Sequence, residues 1–278
     1  MKVIIQKPDL DTCLTALILA VTERDEIVVV SEAASADDLA DPEVLCIEAG
    51  GSGGGVLNNF DHHDPGKHYP TACRQAYDRA ALKDEKLKRL VEYVSMVDDR
   101  RSDLQDIAFP SLSSVFSGML LNEKDLLKQF HSGIGMLKTV LAVGLEPFAT
   151  MPERQEWRRF IDAKRENHLR VRETIDRAEY HTSKGGLKVG AVESAFIGGI
   201  GALYEQGCDV VVMLNPAFGE PPVRKFTIAG NNRPVSHLLP HFNSLGKGWG
   251  GRDTIIGSPR EGTSMSMSQT LNIVLENI

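Results

Sequence analysis

The sequence predicts an α/β protein: a mostly parallel N-terminal sheet flanked by helices, a helical connector, and a smaller C-terminal α/β domain. Three observations carry this. Over roughly the first 150 residues, short runs rich in Val and Ile alternate with helical patterns, as parallel strands joined by crossover helices do. Residues 153–180 (ERQEWRRFIDAKRENHLRVRETIDRAEY) hold mixed charge and no Gly or Pro, which reads as one long solvated helix. Beyond Gly185 and Gly186 the strand–helix rhythm restarts. The expected divisions are residues 1–150, 151–185 and 186–278.

Taken in order, residues 2–6 are a short apolar run closed by Pro8, hence a buried strand. Asp11 is the expected N-cap of a helix over 12–21. Strands are expected at 26–31, 43–48 and 56–60. The stretch 50–55 (GGSGGG) lacks the G-K-[ST] ending of a phosphate loop and reads as a flexible turn. Helical patterns cover 71–82, 84–97, 112–121 and 123–143. In the C-terminal part, strands are expected at 187–193, 209–214 and 223–228, with a helix near 201–206.

Composition narrows the function. The 278 residues carry 31 Lys and Arg against 38 Asp and Glu, a net charge of −7. The excess is concentrated: 24 of the acidic and 15 of the basic side chains fall in residues 1–151. An acidic half beside a near-neutral one excludes broad binding to duplex DNA, which needs a basic face, and suits a domain that holds divalent cations. The longest near-apolar run, 14–21, is too short for a bilayer. Two aspartates by Asp11 argue against a secretory leader. Cys13, Cys46, Cys73 and Cys208 show no CxxC pairing, as expected for reduced thiols in a cytoplasm.

Acidic and His-containing clusters follow the predicted strand ends: Asp9 and Asp11, then Glu48, then Asp61, His62 and His63. Asp98 and Asp99 end a predicted helix. Carboxylate and imidazole together suit Mn²⁺, with Mg²⁺ and Zn²⁺ as alternatives.

Here the residues resemble a family. DHH at 61–63, preceded by NNF, is similar to the naming motif of the DHH phosphoesterases. PDLDT at 8–12 is similar to that family's first motif, Glu48 stands where its second-motif aspartate is expected, and Asp98 or Asp99 resembles the fourth. GGRDTIIG at 250–257 resembles the G-G-H-x-x-A-A-G loop of the DHH-associated C-terminal domain, with Arg252 at the His position. The first-motif histidine falls at Ile5, which ligates nothing.

The resemblance implies a metal-dependent phosphohydrolase with its cleft between the domains, acting on a small phosphorylated ligand, a short single-stranded oligonucleotide or polyphosphate. It implies one tight metal site from Asp11, Glu48, His62 and Asp98 or Asp99, and a weaker one from Asp9 and Glu48. Asp61 would orient an imidazole, and His63 would contact the phosphoryl group or protonate the leaving oxygen. Arg252 would grip a second phosphate, with Gly250 and Gly251 allowing close backbone approach and Arg233, His237 and Lys247 as secondary candidates. No membrane partner is expected, and a homodimer is left open. The rival expectation is a non-catalytic metal- or nucleotide-binding protein on the same scaffold, motivated by Ile5 and Glu48.

Overall fold

The computed structural model describes the chain apart from residues 64–67, 82, 100–103, 105, 106 and 197. The chain divides into two compact units, Met1–Arg165 and Glu166–Ile278.

In the first unit, β1 (Lys2–Ile5), β2 (Glu26–Val29), β3 (Val44–Ile47) and β4 (Asn59–Phe60) form a parallel sheet in the order β2-β1-β3-β4. Side chains alternate across a strand, and both faces here are apolar. Val3, Ile5, Leu45 and Ile47 enter the main core, whereas Ile4, Val44 and Cys46 join Ala34 and Ala49 in a smaller one. That double burial is why the strands read as continuous apolar runs.

The helices of this unit are α1 (Leu10–Ile18), α2 (Ala36–Ala40), α3 (Ala72–Ala80), α4 (Glu85–Asp98), α5 (Leu112–Asn122) and α6 (Leu126–Val143). Asp84, Ser111 and Asp125 cap α4, α5 and α6 through their side-chain oxygens. Because the strands are parallel and paired Ile5 to Ile47 to Phe60, the segments after β1, β3 and β4 leave the sheet at one edge. Ligands gather at that edge in open parallel sheets.

The structure corrects several boundaries. The strand expected at 56–60 is a 3-10 turn at Gly55–Leu57 followed by only two paired residues. Asp11 is not the N-cap of its own helix: Asp9 is, accepting from the Thr12 N–H at 3.0 Å. The stretch 50–55 is not a loose turn, because Asp61 ties it down at Gly50 and Ser52. Leu82, at the end of one expected helix, lies outside the described residues.

The long charged helix is α7 (Arg158–Arg177), shorter than expected at both ends. A 3-10 turn at Gln155–Trp157 precedes it, and it stops because β5 (Glu179–Thr182) pairs antiparallel with β6 (Lys188–Glu193). The second unit continues with α8 (Gly199–Glu205), β7 (Val210–Phe218), β8 (Val223–Gly230), α9 (Leu239–Leu245), β9 (Gly250–Arg252), β10 (Ile255–Gly257) and α10 (Met267–Asn277). Its sheet runs β5-β6-β7-β8-β10-β9, antiparallel except for β6 with β7. Val212, Leu214, Phe226, Ile228, Phe242 and Trp249 centre its core. The GGRDTIIG segment, expected as a loop, is the β9–β10 hairpin. Among the described residues no helix is long and apolar enough to cross a membrane.

Behind α1, which carries the first acidic cluster, packing is close. A Cβ on Gly133 of α6 would stand 2.6 Å from Cys13 Sγ and 2.9 Å from a Phe116 ring carbon. Helix propensity alone favours Ala over Gly by about 1 kcal/mol, whereas overpacking costs about 1–3 kcal/mol. Gly133→Ala should therefore lower stability in urea unfolding; a gain would mean that α1 and α6 are not this tightly fitted.

Candidate metal centre

Glu48 directly follows β3 with φ +50°, a left-handed backbone that costs a non-glycine residue roughly 1–3 kcal/mol. Its N–H donates to Phe60 O at 2.8 Å, and Gly50 and Gly51, at φ +102° and +75°, complete the turn. The carboxylate is buried, and neither Glu48 oxygen has an aligned hydrogen bond.

After β4, the Asp61 carboxylate accepts from the Gly50 N–H (2.7 Å), the Ser52 hydroxyl (3.1 Å) and the His63 N–H (2.7 Å). It also lies 3.3 Å from His63 Nδ1. Burial pushes Asp61 up, but these donors outweigh it and hold its carboxyl below the usual range. Gln75 of α3 donates Nε2 to both Asp61 O (2.9 Å) and Pro70 O (2.6 Å), fastening both ends of the segment after β4.

Asp11, fully buried in the first turn of α1, accepts from the Ala72 and Cys73 N–H groups at 2.8 and 2.7 Å. It thus caps α3 from another helix, where the partial positive charge of the helix N-terminus favours an anion. Both Asp9 oxygens are engaged, one by the Thr12 N–H and one by Lys7 Nζ at 2.9 Å.

His62 gathers the acids. Its Nε2 lies 3.0 Å from Glu48 Oε1, 3.1 Å from Asp98 Oδ2 and 3.9 Å from Asp11 Oδ2. It makes no aligned hydrogen bond to any of them. Two sets could each hold an ion, Glu48 with His62 and His63, and Asp11 with His62 and Asp98; within each, the ligand atoms lie within 4.8 Å of one another. The buried Glu48 oxygens, close to two imidazoles but without an aligned hydrogen bond, fit a divalent cation with oxygen and nitrogen donors. Asp99, next to Asp98, is exposed and lines a separate cavity. Ile5 is fully buried in the main core.

The electrostatics are those of excess negative charge. Asp98 and Glu48 hold the His62 imidazole charged against burial, pushing its pKa up to about 10, and His62 holds Asp98 low in return. Burial and then the Glu48 charge push Asp11 up to about 7, despite its two N–H donors. Glu48 is itself raised, chiefly by burial. Burial pulls the Lys7 ammonium down, but Asp9, with Glu48 and Asp98 beyond it, outweighs that and raises it. Sequence reading missed Lys7, Ser52 and Gln75, because their partners become neighbours only in the folded chain.

In the second unit, Arg252 is exposed on β9. Gly251, at φ +152°, has no room for a side chain: a Cβ would stand 2.2 Å from Ile255 O. Gly250 faces open space. Arg233 pairs with Asp209 at 3.1 Å, His237 Nε2 lies 3.2 Å from Asn277 O, and Lys247 is exposed.

No family model matches the sequence, and no curated protein does. Among solved structures, the chain is similar to PggH, a pGpG-specific phosphodiesterase from Vibrio cholerae. The TM-score is 0.55 at 13% identity, over 93% of this chain and 92% of that one. The two chains share a fold. A weaker likeness, TM-score 0.46 at 11% identity, links it to Mn²⁺-bound RecJ from Thermus thermophilus, over 98% of this chain and 51% of RecJ.

The acidic cluster makes stability depend on pH. Asp11, Glu48 and His62 all bind protons more tightly in the folded chain. Their contributions are present at low pH and lost as pH rises through the folded values, about 7 for Asp11 and about 10 for His62. The lowered Asp98 and Asp61 act oppositely, and their share is lost only below about pH 4. In chelator, the melting temperature should fall between pH 5.5 and 8.5. Mn²⁺ binds deprotonated ligands, so its stabilisation should be larger at pH 8.5. A melting temperature in chelator that is flat or rises over this range would contradict the charge balance described here.

Proposed function

We propose that this chain is a metal-dependent phosphohydrolase that cleaves a phosphodiester or phosphoanhydride in a small nucleotide, short oligonucleotide or polyphosphate. The observation that carries the reading is the buried Glu48 carboxylate, which has no aligned hydrogen bond and lies 3.0 Å from His62 at the sheet edge. A similar fold in a phosphodiesterase supports the class of reaction.

Glu48 and His62, with Asp11 and Asp98, would hold the cation. Mn²⁺ is the proposed ion, because hard carboxylate and borderline imidazole donors meet at one point. Bound there, it supplies Lewis-acid neutralisation of phosphoryl charge and activation of water.

The chain's own residues do the rest. Asp61 lies 3.3 Å from Nδ1 of His63 and would orient the ring, which leaves Nε2 to contact the phosphoryl group or serve the leaving oxygen. Gln75 keeps the Asp61 backbone, and with it both histidines, in place. Arg252 is proposed as the group that grips a further phosphate, its planar fork matching two phosphate oxygens.

Ile5 favours a second reading, a metal- or nucleotide-binding protein without turnover. It fills core where the related family carries a metal-ligating histidine, which leaves one tight site. Elemental analysis with a panel of phosphate esters, dinucleotides and polyphosphate separates the two. The enzyme reading expects one tight Mn²⁺ per chain and turnover of at least one ester. Outer-shell partners of a metal site contribute 10–100-fold in affinity or activity, so loss of a direct ligand should cost at least about a hundredfold. His62→Ala should therefore lose tight Mn²⁺ and turnover together, and because it also removes the imidazole between the three carboxylates, melting in chelator should fall while the chain still folds. Arg252→Ala should lower kcat/KM by roughly ten- to a hundredfold with metal content unchanged. Metal bound without turnover across the panel would leave the binding reading.

A further inference from the structure

The first unit holds a cavity of about 590 Å³, within the range of small-ligand sites. One stripe of α4, running through Arg89, Glu92 and Met96 and continued by the C-cap residue Asp99, forms a wall; these positions recur every three or four residues and so share a helix face. Tyr69, Thr71, Arg74 and Phe148 close the remainder.

The cavity adjoins the metal-binding cluster at two points. Asp99 is the residue after Asp98, which faces His62. Thr71 precedes Ala72 and Cys73, whose N–H groups hold Asp11. The same helix end and the same turn before α3 thus supply residues to both sites.

Its walls are organised before any ligand arrives. The Arg89 guanidinium lies over the Phe148 ring, 4.0 Å from its centroid, and Glu146 holds its Nε at 3.1 Å. Phe148 in turn packs edge-on against Tyr93, with centroids 5.2 Å apart. Thr71 and Ser95 share a hydrogen bond of 2.7 Å. Arg74 is held by Asp78 of its own helix at 3.2 Å.

The lining states its preference. Two guanidinium groups meet two carboxylates, so the signs balance and free phosphate has no particular claim. One face of Phe148 is already covered by Arg89, so the planar groups along the wall are the Tyr69 ring and the Arg89 guanidinium, itself a plane on which a base stacks, and the polar groups around them supply both donors and acceptors. A planar heterocycle with donor and acceptor edges matches that combination, since every base has a face to stack and edges to bond. We propose that this cavity is a nucleobase pocket that seats the base of a substrate whose phosphoryl group lies at the Glu48–His62 cluster. This rests on the phosphohydrolase reading and narrows its substrate to nucleotides or short oligonucleotides, against polyphosphate.

The test uses the full chain with Mn²⁺ and the four phosphate-free ribonucleosides, followed by titration calorimetry. A nucleoside has no bond for the enzyme to cleave, so it reads the pocket alone. At least one should bind saturably. Met96→Trp, which fills the cavity, should weaken it by at least about tenfold, and Arg74→Ala by several-fold. The side-chain partner of Arg74 is the exposed Asp78, so Arg74→Ala keeps the test valid should Met96→Trp unfold. No saturable binding by the wild type, or unchanged binding in the folded variants, overturns the pocket. Hydrolysis of bis(p-nitrophenyl) phosphate is followed in parallel. Nucleoside binding by a protein inactive on every ester would keep the pocket and remove the phosphohydrolase reading.

Discussion

Three carboxylates from three separate elements converge on one imidazole nitrogen, and two of them, on Asp11 and Glu48, are buried. At 4 Å and an effective dielectric of 20, like charges repel by about 4 kcal/mol. A single charged His62 cannot offset three anions. The cluster therefore favours either protons or a divalent cation, and its place in the fold follows from that constraint. Asp11 enters from α1, Glu48 from a strained turn after β3, and Asp98 from the last turn of α4.

The three acids are not equivalent. Asp11 is already satisfied by two backbone N–H groups of α3, so it also locks α1 to α3. Asp98 is partly exposed and is held low by His62. Glu48 alone among the three is buried with no aligned partner on either oxygen. Its positive φ adds strain that a purely structural carboxylate would not require.

Much of this was legible in the sequence. Strands recur as apolar runs, and parallel strands put the residues after each of them at one edge; hence Asp9, Asp11, Glu48 and the 61–63 triplet could be grouped before any coordinates. Local spacing could not separate Asp98 from Asp99, since adjacent residues at a helix end diverge onto different surfaces. It misassigned the cap of α1, because Asp9 and Asp11 both suit that position by type and only the contact with α3 distinguishes them. The ties of Asp61 to Gly50 and Ser52, the grip of Gln75, and the hairpin at 250–257 depend on partners that periodicity does not encode. The cavity beside α4 was invisible for the same reason, being walled by segments as far apart as Tyr69 and Phe148.

The central claim is that a cation takes its ligands from His62 and Glu48. Anomalous diffraction at the manganese edge, from crystals grown with Mn²⁺, tests it most directly. The account predicts a peak within bonding distance of His62 Nε2 and a Glu48 oxygen. A peak elsewhere, with His62 still clamped between Glu48 and Asp98, would contradict it.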